Sequence, residues 1–161
     1  MSASITYRPA GRSDIPAVLS LVRALAAYEK MEHAVVATPA LYEEWLFEKN
    51  TARVILACDG DTAVGFALYF YNFSTWLGRA GIYLEDLFVL PEYRGQGIGK
   101  TLLKTLAKTA VAEGCGRVEW SCLDWNTPSI EFYRAHGAVP MDEWTTYRLT
   151  GDALTAFAAD D

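Results

Sequence analysis

The stretch that most constrains this chain is Val89-Leu90-Pro91-Glu92-Tyr93-Arg94-Gly95-Gln96-Gly97-Ile98-Gly99-Lys100. A long apolar run with strand character, residues 80–89, ends there. Glycines follow at alternate positions. From about Gly97 to Glu113, Ile98, Leu102, Leu103, Leu106, Ala107 and Ala110 then recur at helical spacing. In a strand–turn–helix of this kind the glycines let backbone approach a ligand, and the helix start adds partial positive charge. The expected product is a phosphate or pyrophosphate cradle made by Arg94, Gly95, Gln96, Gly97, Ile98, Gly99 and Lys100, with Arg94 and Lys100 supplying charge. Two common phosphate motifs do not fit. A Walker loop needs glycine where Arg94 stands, ahead of Gly99-Lys100-Thr101. A dinucleotide fingerprint fails because Lys100 sits where its last glycine should fall.

The rest of the chain surrounds this unit with a mixed α/β pattern. Residues 4–8 read as a strand ending at Pro9, and Ser13 or Asp14 can cap a helix that buries Ile15, Val18, Leu19, Val22, Leu25 and Ala26. A loop over 29–37 leads to a second helix from Thr38-Pro39 to about Lys49, with Leu41, Trp45 and Leu46 inward. Strands at 52–58 and 62–72 flank the Asp59-Gly60-Asp61 turn, and a turn at 73–79 leads into the strand at 80–89. A strand at 117–123, a short helix at 127–135 and a last strand near 144–149 complete the pattern. Hairpins first and crossovers later predict a central mixed sheet with helices on both faces. One domain over 1–161 is expected, its core about 4–149 and its tail, 150–161, helical in part.

Composition narrows the partners. A formal net charge of −6 disfavours nucleic acid and suits a cationic substrate. The three cysteines, Cys58, Cys115 and Cys122, and two histidines, His33 and His136, show no disulfide or metal-ligand spacing. The first residues show no signal-type apolar stretch and no segment is long enough to span a bilayer, so a cytoplasmic location with no membrane partner is expected.

Two further features carry chemistry. Glu85 lies mid-strand among Ile82, Leu84 and Leu87, where a carboxylate is costly unless it opens into a cleft. Asp86, the next residue, is expected to face the other side of the strand as a structural group. Tyr133 follows Asn126-Thr127-Pro128-Ser129 on the short helix, and a phenol suits protonation of a thiolate.

Tyr28-Glu29, Phe73-Ser74-Thr75-Trp76, Tyr83-Leu84-Glu85-Asp86, the Arg94–Gly99 loop, Asp124-Trp125-Asn126 and Phe132-Tyr133 together resemble the GCN5-related N-acetyltransferase superfamily, in its diamine acetyltransferase branch. That branch includes spermidine/spermine acetyltransferase and a thialysine-acetylating paralogue. The resemblance, from about Tyr7 to Tyr147, implies the acyl-CoA N-acyltransferase fold and transfer of acetyl from acetyl-CoA to a small primary amine in a ternary complex. It implies Glu85 as the acid that holds and deprotonates the amine, and Tyr133 as the acid for the leaving thiolate. It assigns Leu87, Phe88, Val89, Asn126, Thr127, Pro128 and Ser129 to further CoA contacts. Tyr28, Glu29, Trp76, Glu119, Trp120 and Ser121 fall on the substrate side, and a homodimer is implied.

Two departures bear on substrate choice. Polyamine-acetylating members carry an acid just before the Trp76 turn, where this chain has Ser74, which resembles the thialysine paralogue. The segment from Thr127 to Tyr133 resembles the polyamine enzyme instead, and the segment from Gly137 to Trp144 is short. The alternatives are a protein-lysine acetyltransferase on the same fold and a non-catalytic acyl-CoA sensor.

Overall fold

The computed structural model describes residues 4–159. They form two compact units that divide after Ser121.

The first unit is built on a sheet whose strands lie in chain order: β1 (Ile5–Pro9), β2 (Arg53–Asp59), β3 (Thr62–Ser74), β4 (Arg79–Val89) and β5 (Val118–Glu119). The first four pair antiparallel. β5 is parallel to β4 because helix α3 (Ile98–Glu113) carries the chain back across the sheet. Gly60, at φ 59°, makes the tight β2–β3 turn.

Strand alternation splits the core into two layers. Ala57, Val64, Ala67, Tyr69, Ile82 and Leu84 face α3 and pack on Ile98, Leu102, Leu106 and Ala110. Val54, Leu56, Cys58, Phe66 and Phe88 face the other way, onto Val18 and Leu21 of helix α1 (Ile15–Tyr28). The sheet is therefore mixed and covered on both faces, as the sequence predicts. The apolar stripe of α3 is buried as expected at Ile98, Leu102, Leu106 and Ala110, while Leu103 is half-buried and Ala107 exposed.

The second helical segment departs in detail. Thr38 caps α2 (Pro39–Tyr42) by accepting the Leu41 N–H at 3.3 Å, but the chain then widens into a π-helical stretch, Glu43–Glu48. The Lys49 N–H bonds to the Glu44 carbonyl at 2.8 Å, five residues back. Leu46 remains half-buried, while Leu41 and Trp45 are exposed, with the Lys49 ammonium 4.0 Å from the Trp45 ring centre.

Two strand expectations fail. The strand expected over 117–123 pairs only at Val118–Glu119, opposite Ile82 and Tyr83, because β4 bulges immediately afterwards. Residues 144–149 form no strand. Tyr147, in the middle of that stretch, is 92% exposed.

The second unit contains helix α4 (Thr127–Ala135) and helix α5 (Gly151–Ala159). Asn126 starts α4 by accepting the Ser129 N–H at 3.4 Å, with Pro128 in the first turn. His136 and His33 are exposed.

Candidate active site

The glycine-rich loop leaves β4 at Val89 and turns through Pro91–Tyr93. Two side chains fasten it. The Tyr93 hydroxyl donates to Asp59 Oδ2 at 2.7 Å, which ties the loop to the β2–β3 turn and, with Asp59 as its partner, pushes the phenol pKa up. Arg94 turns back, donating from Nε to the Val89 carbonyl at 3.0 Å, and lies over the rings of Tyr28 and Phe88. Gly95 and Gly97 both sit at φ 80°, where an L side chain is strained, and the space a Cβ would enter is open at each. Ile98 is buried and anchors the start of α3. Among the described residues, no amide from Gly95 to Lys100 is paired with a carbonyl. Open glycine backbone and a run of unpaired N–H groups at a helix start fit a pyrophosphate. Lys100 is exposed on the first turn of α3.

Strand β4 supplies an open edge beside this cradle. It pairs with β5 only at Ile82 and Tyr83, so from Leu84 to Val89 its edge away from β3 meets no strand among the described residues. Leu87, Phe88 and Val89 lie on that edge, where backbone groups are available to an extended ligand.

The two acids of β4 correct the sequence reading. Asp86 is opposite Leu68 and Leu84 is opposite Tyr69, which leaves Glu85 as an inserted residue. Leu84 faces α3, and so does Leu87, three positions later. An odd spacing between two residues on one face requires one extra residue between them. Glu85 and Asp86 therefore both point to the α1 face, whereas a regular strand would put Asp86 on the opposite side from Glu85. Glu85 is exposed and Asp86 half-buried. Burial, then the charges of Glu85 and Glu29, push the Asp86 carboxyl up to about 7. Glu29, at the end of α1, is itself raised by burial. Tyr42 of α2 is raised by burial and by the Asp86 charge, against the pull of Arg23. Sequence reasoning missed Asp86 and Tyr42 as members of this face. The signal for Asp86 was present in the odd spacing of Leu84 and Leu87.

The structure gathers Tyr28, Glu29, Glu85 and Asp86 on the α1 side. Glu119 lies on β5 opposite Tyr83 and pairs with Arg117 at 2.9 Å. Ser121 shares a hydrogen bond with the Tyr83 hydroxyl at 3.0 Å, and Trp120 is half-buried between Glu119 and Ser121. Trp76 stands at the β3–β4 turn, 89% exposed. It is about 20 Å from Glu85 at the usual strand rise. Ser74 is buried, and its hydroxyl accepts the Leu77 N–H at 3.1 Å within that turn. In the second unit, Tyr133 is half-buried on α4, edge-on to Phe132 with ring centres 5.6 Å apart. Thr127, Pro128 and Ser129 form the first turn of the same helix.

A glycine-rich helix start, an open strand edge and an acidic face on one mixed sheet define a class: an acyltransferase fold with backbone donors free for a phosphate-bearing co-substrate. The chain belongs to the acetyltransferase (GNAT) family, which matches residues 19–138. It is 36% identical to the thialysine N-epsilon-acetyltransferase of Mus musculus over 97% of this chain and 98% of that protein. It is 50% identical to the L-ornithine N5-acetyltransferase of Arabidopsis thaliana over 57% of this chain and 40% of that protein. An integron cassette protein from the mobile metagenome of V. cholerae shares the fold with a TM-score of 0.82 and 27% identity, covering 98% and 99% of the two chains. The diamine branch expected from the sequence is the one these relatives mark, and the activity class is acetyl-CoA-dependent N-acetylation. The loop from Arg94 to Lys100 fits that donor, since its open amides and uncrowded glycines are what a pyrophosphate requires.

Proposed function

We propose that this enzyme acetylates the terminal amine of a small amino acid of the thialysine, lysine or ornithine type, by direct attack of the amine on the thioester. The observation that carries the reading is the acidic α1 face, where the β4 bulge turns Glu85 and Asp86 to one side and the charges of Glu85 and Glu29 bear on Asp86. An acidic face attracts an ammonium group, and the chain's net charge of −6 adds long-range attraction. Similarity to enzymes named for thialysine and ornithine, both amino acids with a side-chain amine, supports the substrate class.

Glu85, exposed at the bulge, receives the ammonium and begins its deprotonation. A backbone N–H on the open β4 edge near Leu87 polarises the thioester carbonyl. Tyr133 is assigned, by the family resemblance, to protonation of the departing thiolate. A homodimer belongs to the same proposal and is read by sedimentation.

The deciding experiment measures thiol release from acetyl-CoA against thialysine, lysine, ornithine, spermidine, putrescine and a lysine peptide. Turnover with the amino acids in clear preference to spermidine is the expected result. Preference for spermidine would overturn the substrate assignment, and preference for the peptide would move the enzyme to protein substrates.

A further inference from the structure

Further along β4 the α1 side of the sheet carries a second group of side chains. Ile82 and Leu84 point to α3, so Tyr83 between them points to the α1 side, as Glu85 does. Phe70, in register with Tyr83 on β3, stacks against it with ring centres 5.1 Å apart. Both rings are half-buried, and neither belongs to the layer packed on α1. They make an aromatic floor with charge at each end. Glu85 stands at one end, exposed. At the other end Glu119 is in register with Tyr83 on β5, and Arg117 Nε lies 2.9 Å from its carboxylate. Glycine at position 81 holds the arginine there. A Cβ on Gly81 would meet Arg117 Cγ at 3.2 Å, so the missing side chain lets the arginine stem lie across β4. Among the described residues neither terminal nitrogen of Arg117 donates a hydrogen bond, and no other residue donates to Glu119. A planar two-nitrogen fork therefore stays open beside a carboxylate. The fork fits a carboxylate, and the carboxylate fits an ammonium. The Tyr83 and Ser121 hydroxyls share one hydrogen bond at 3.0 Å, which leaves one of their two protons for an acceptor. An ion pair this open adds little to the fold.

We propose that Arg117 and Glu119 receive the α-carboxylate and α-ammonium of an amino-acid substrate, while Glu85 holds its side-chain ammonium and its methylenes cross the Phe70–Tyr83 floor. The inference rests on the amino-acid reading above and supplies its specificity element. A cation and an anion side by side are complementary to a zwitterion. A diamine offers the anion a second ammonium but has nothing for the cation, so Arg117 selects the amino acid over the diamine of equal length. The spacing agrees. Tyr83 is two residues from Glu85 and Glu119 is one strand over, which sets the two ends roughly 8 Å apart at the usual strand rise and separation. In extended lysine the side-chain nitrogen and the α-carbon are five bonds apart, roughly 6 Å, with the carboxylate about 1.5 Å beyond. Ornithine is one bond shorter, a difference the long side chains of Arg117 and Glu85 can take up.

The test sets lysine and ornithine against cadaverine and putrescine, their counterparts without the carboxylate, and against lysinamide, in which it is uncharged. In wild type, kcat/KM for lysine should exceed that for cadaverine and for lysinamide by roughly 10-fold or more. Arg117→Ala should raise the KM for lysine and ornithine by roughly 10–100-fold with kcat little changed, because the contact is the same in ground and transition states. The same variant should keep or raise kcat/KM for cadaverine, whose second ammonium no longer faces a cation. It should cost lysinamide almost nothing, since the carboxylate it would have met is already neutral. Arg117→Lys should recover part of the loss on lysine, as charge without the fork. Acetyl-CoA Kd should stay within about twofold of wild type in both variants, since the donor loop is elsewhere. An equal loss on lysine and cadaverine overturns the inference and makes Arg117 a support of β5. A wild type that turns over lysinamide as well as lysine also overturns it, and that comparison needs no variant. Either result leaves the acetylation of free amino acids standing. A wild type that prefers spermidine or a lysine peptide, or acetylates no amine, overturns the reading on which the inference rests.

Discussion

The Arg94 guanidinium stands 5.0 Å from the ring centre of Tyr28 and 5.4 Å from that of Phe88, while its Nε donates to the Val89 carbonyl. One side chain thus joins the glycine-rich loop, the end of β4 and the end of α1. The sequence assigns Arg94 to the donor and Tyr28 to the amine, but the two share a single support. A change on the amine side should therefore be felt in the cradle.

Arg94→Ala removes a charge-assisted hydrogen bond and two cation–π contacts, so acetyl-CoA binding should weaken by roughly 10–100-fold. Arg94→Lys keeps the charge without the planar group and should recover only part of that loss. Tyr28→Ala should weaken acetyl-CoA binding by roughly threefold to tenfold besides raising the KM for amine. Calorimetry with acetyl-CoA alone reads this. A Tyr28→Ala variant that moves only the amine KM would show that the stack does not support the loop.

Asp86 makes the fold less stable as pH rises. Its folded pKa, about 7, lies above its ordinary 3.8, so the folded chain holds a proton over that interval and the unfolded chain does not. Stability then falls from about pH 4 to about pH 7, and the full cost of ionising the buried group, on the order of 4 kcal/mol, applies above that. Asp86→Asn should be more stable than wild type at pH 8 and nearly equal to it at pH 4. Urea denaturation at the two pH values checks this. A variant that is more stable yet slower would show the acid retained for chemistry at the expense of the fold.

The sheet was legible in the sequence because its signals are local. Gly60 in its turn, the apolar stripe of α3 and the alternation of β2 and β3 each follow from a few neighbouring residues. The strand–loop–helix order around the glycine-rich loop was legible for the same reason. The acidic face was only half legible, because alternation alone puts Asp86 opposite Glu85, and its reversal depends on the register of β4 against β3. Residues 144–149 misled because strand character in a short stretch is weak by itself, and whether it pairs is decided by distant chain segments. Trp45 misled because it lies in the π-helical stretch, where the spacing of an α-helix no longer predicts the face.

Asp14 works in the opposite sense from Asp86. Arg8 meets it with both terminal nitrogens, at 2.7 and 2.9 Å, and the Gly11 N–H adds a bond at 2.8 Å. These partners, Arg8 first and Gly11 next, hold the carboxyl down at about 2 against its ordinary 3.8. The stability they contribute is complete above pH 3.8 and disappears as pH falls through about 2. Asp14→Asn keeps an acceptor for Gly11 and loses the charge. It should lower Tm at pH 7 by about 2–4 °C, a small effect because the Arg8 side of the pair stays open to solvent. The gap should close near pH 2. A gap that persists there would assign the loss to packing at the start of α1.

Gly81 tests the seam between β4 and β5. A Cβ there would stand 2.6 Å from Asn72 Oδ1 and 3.3 Å from the Arg117 carbonyl, which accepts the Ile82 N–H at 3.0 Å. The amide side chain of Asn72 can move, and its buried Oδ1 has no partner to lose. The Arg117 carbonyl cannot move without lengthening the bond that starts β5. Gly81→Ala should therefore cost roughly 1–3 kcal/mol, concentrated at this seam. Amide exchange at Val118 and Glu119 should quicken, while acetyl-CoA affinity, set at the other end of β4, should hold. Adding Asn72→Ala should recover the share due to the side-chain clash. Full recovery in the double variant would place the whole strain on Asn72 and remove the backbone of Arg117 from the account.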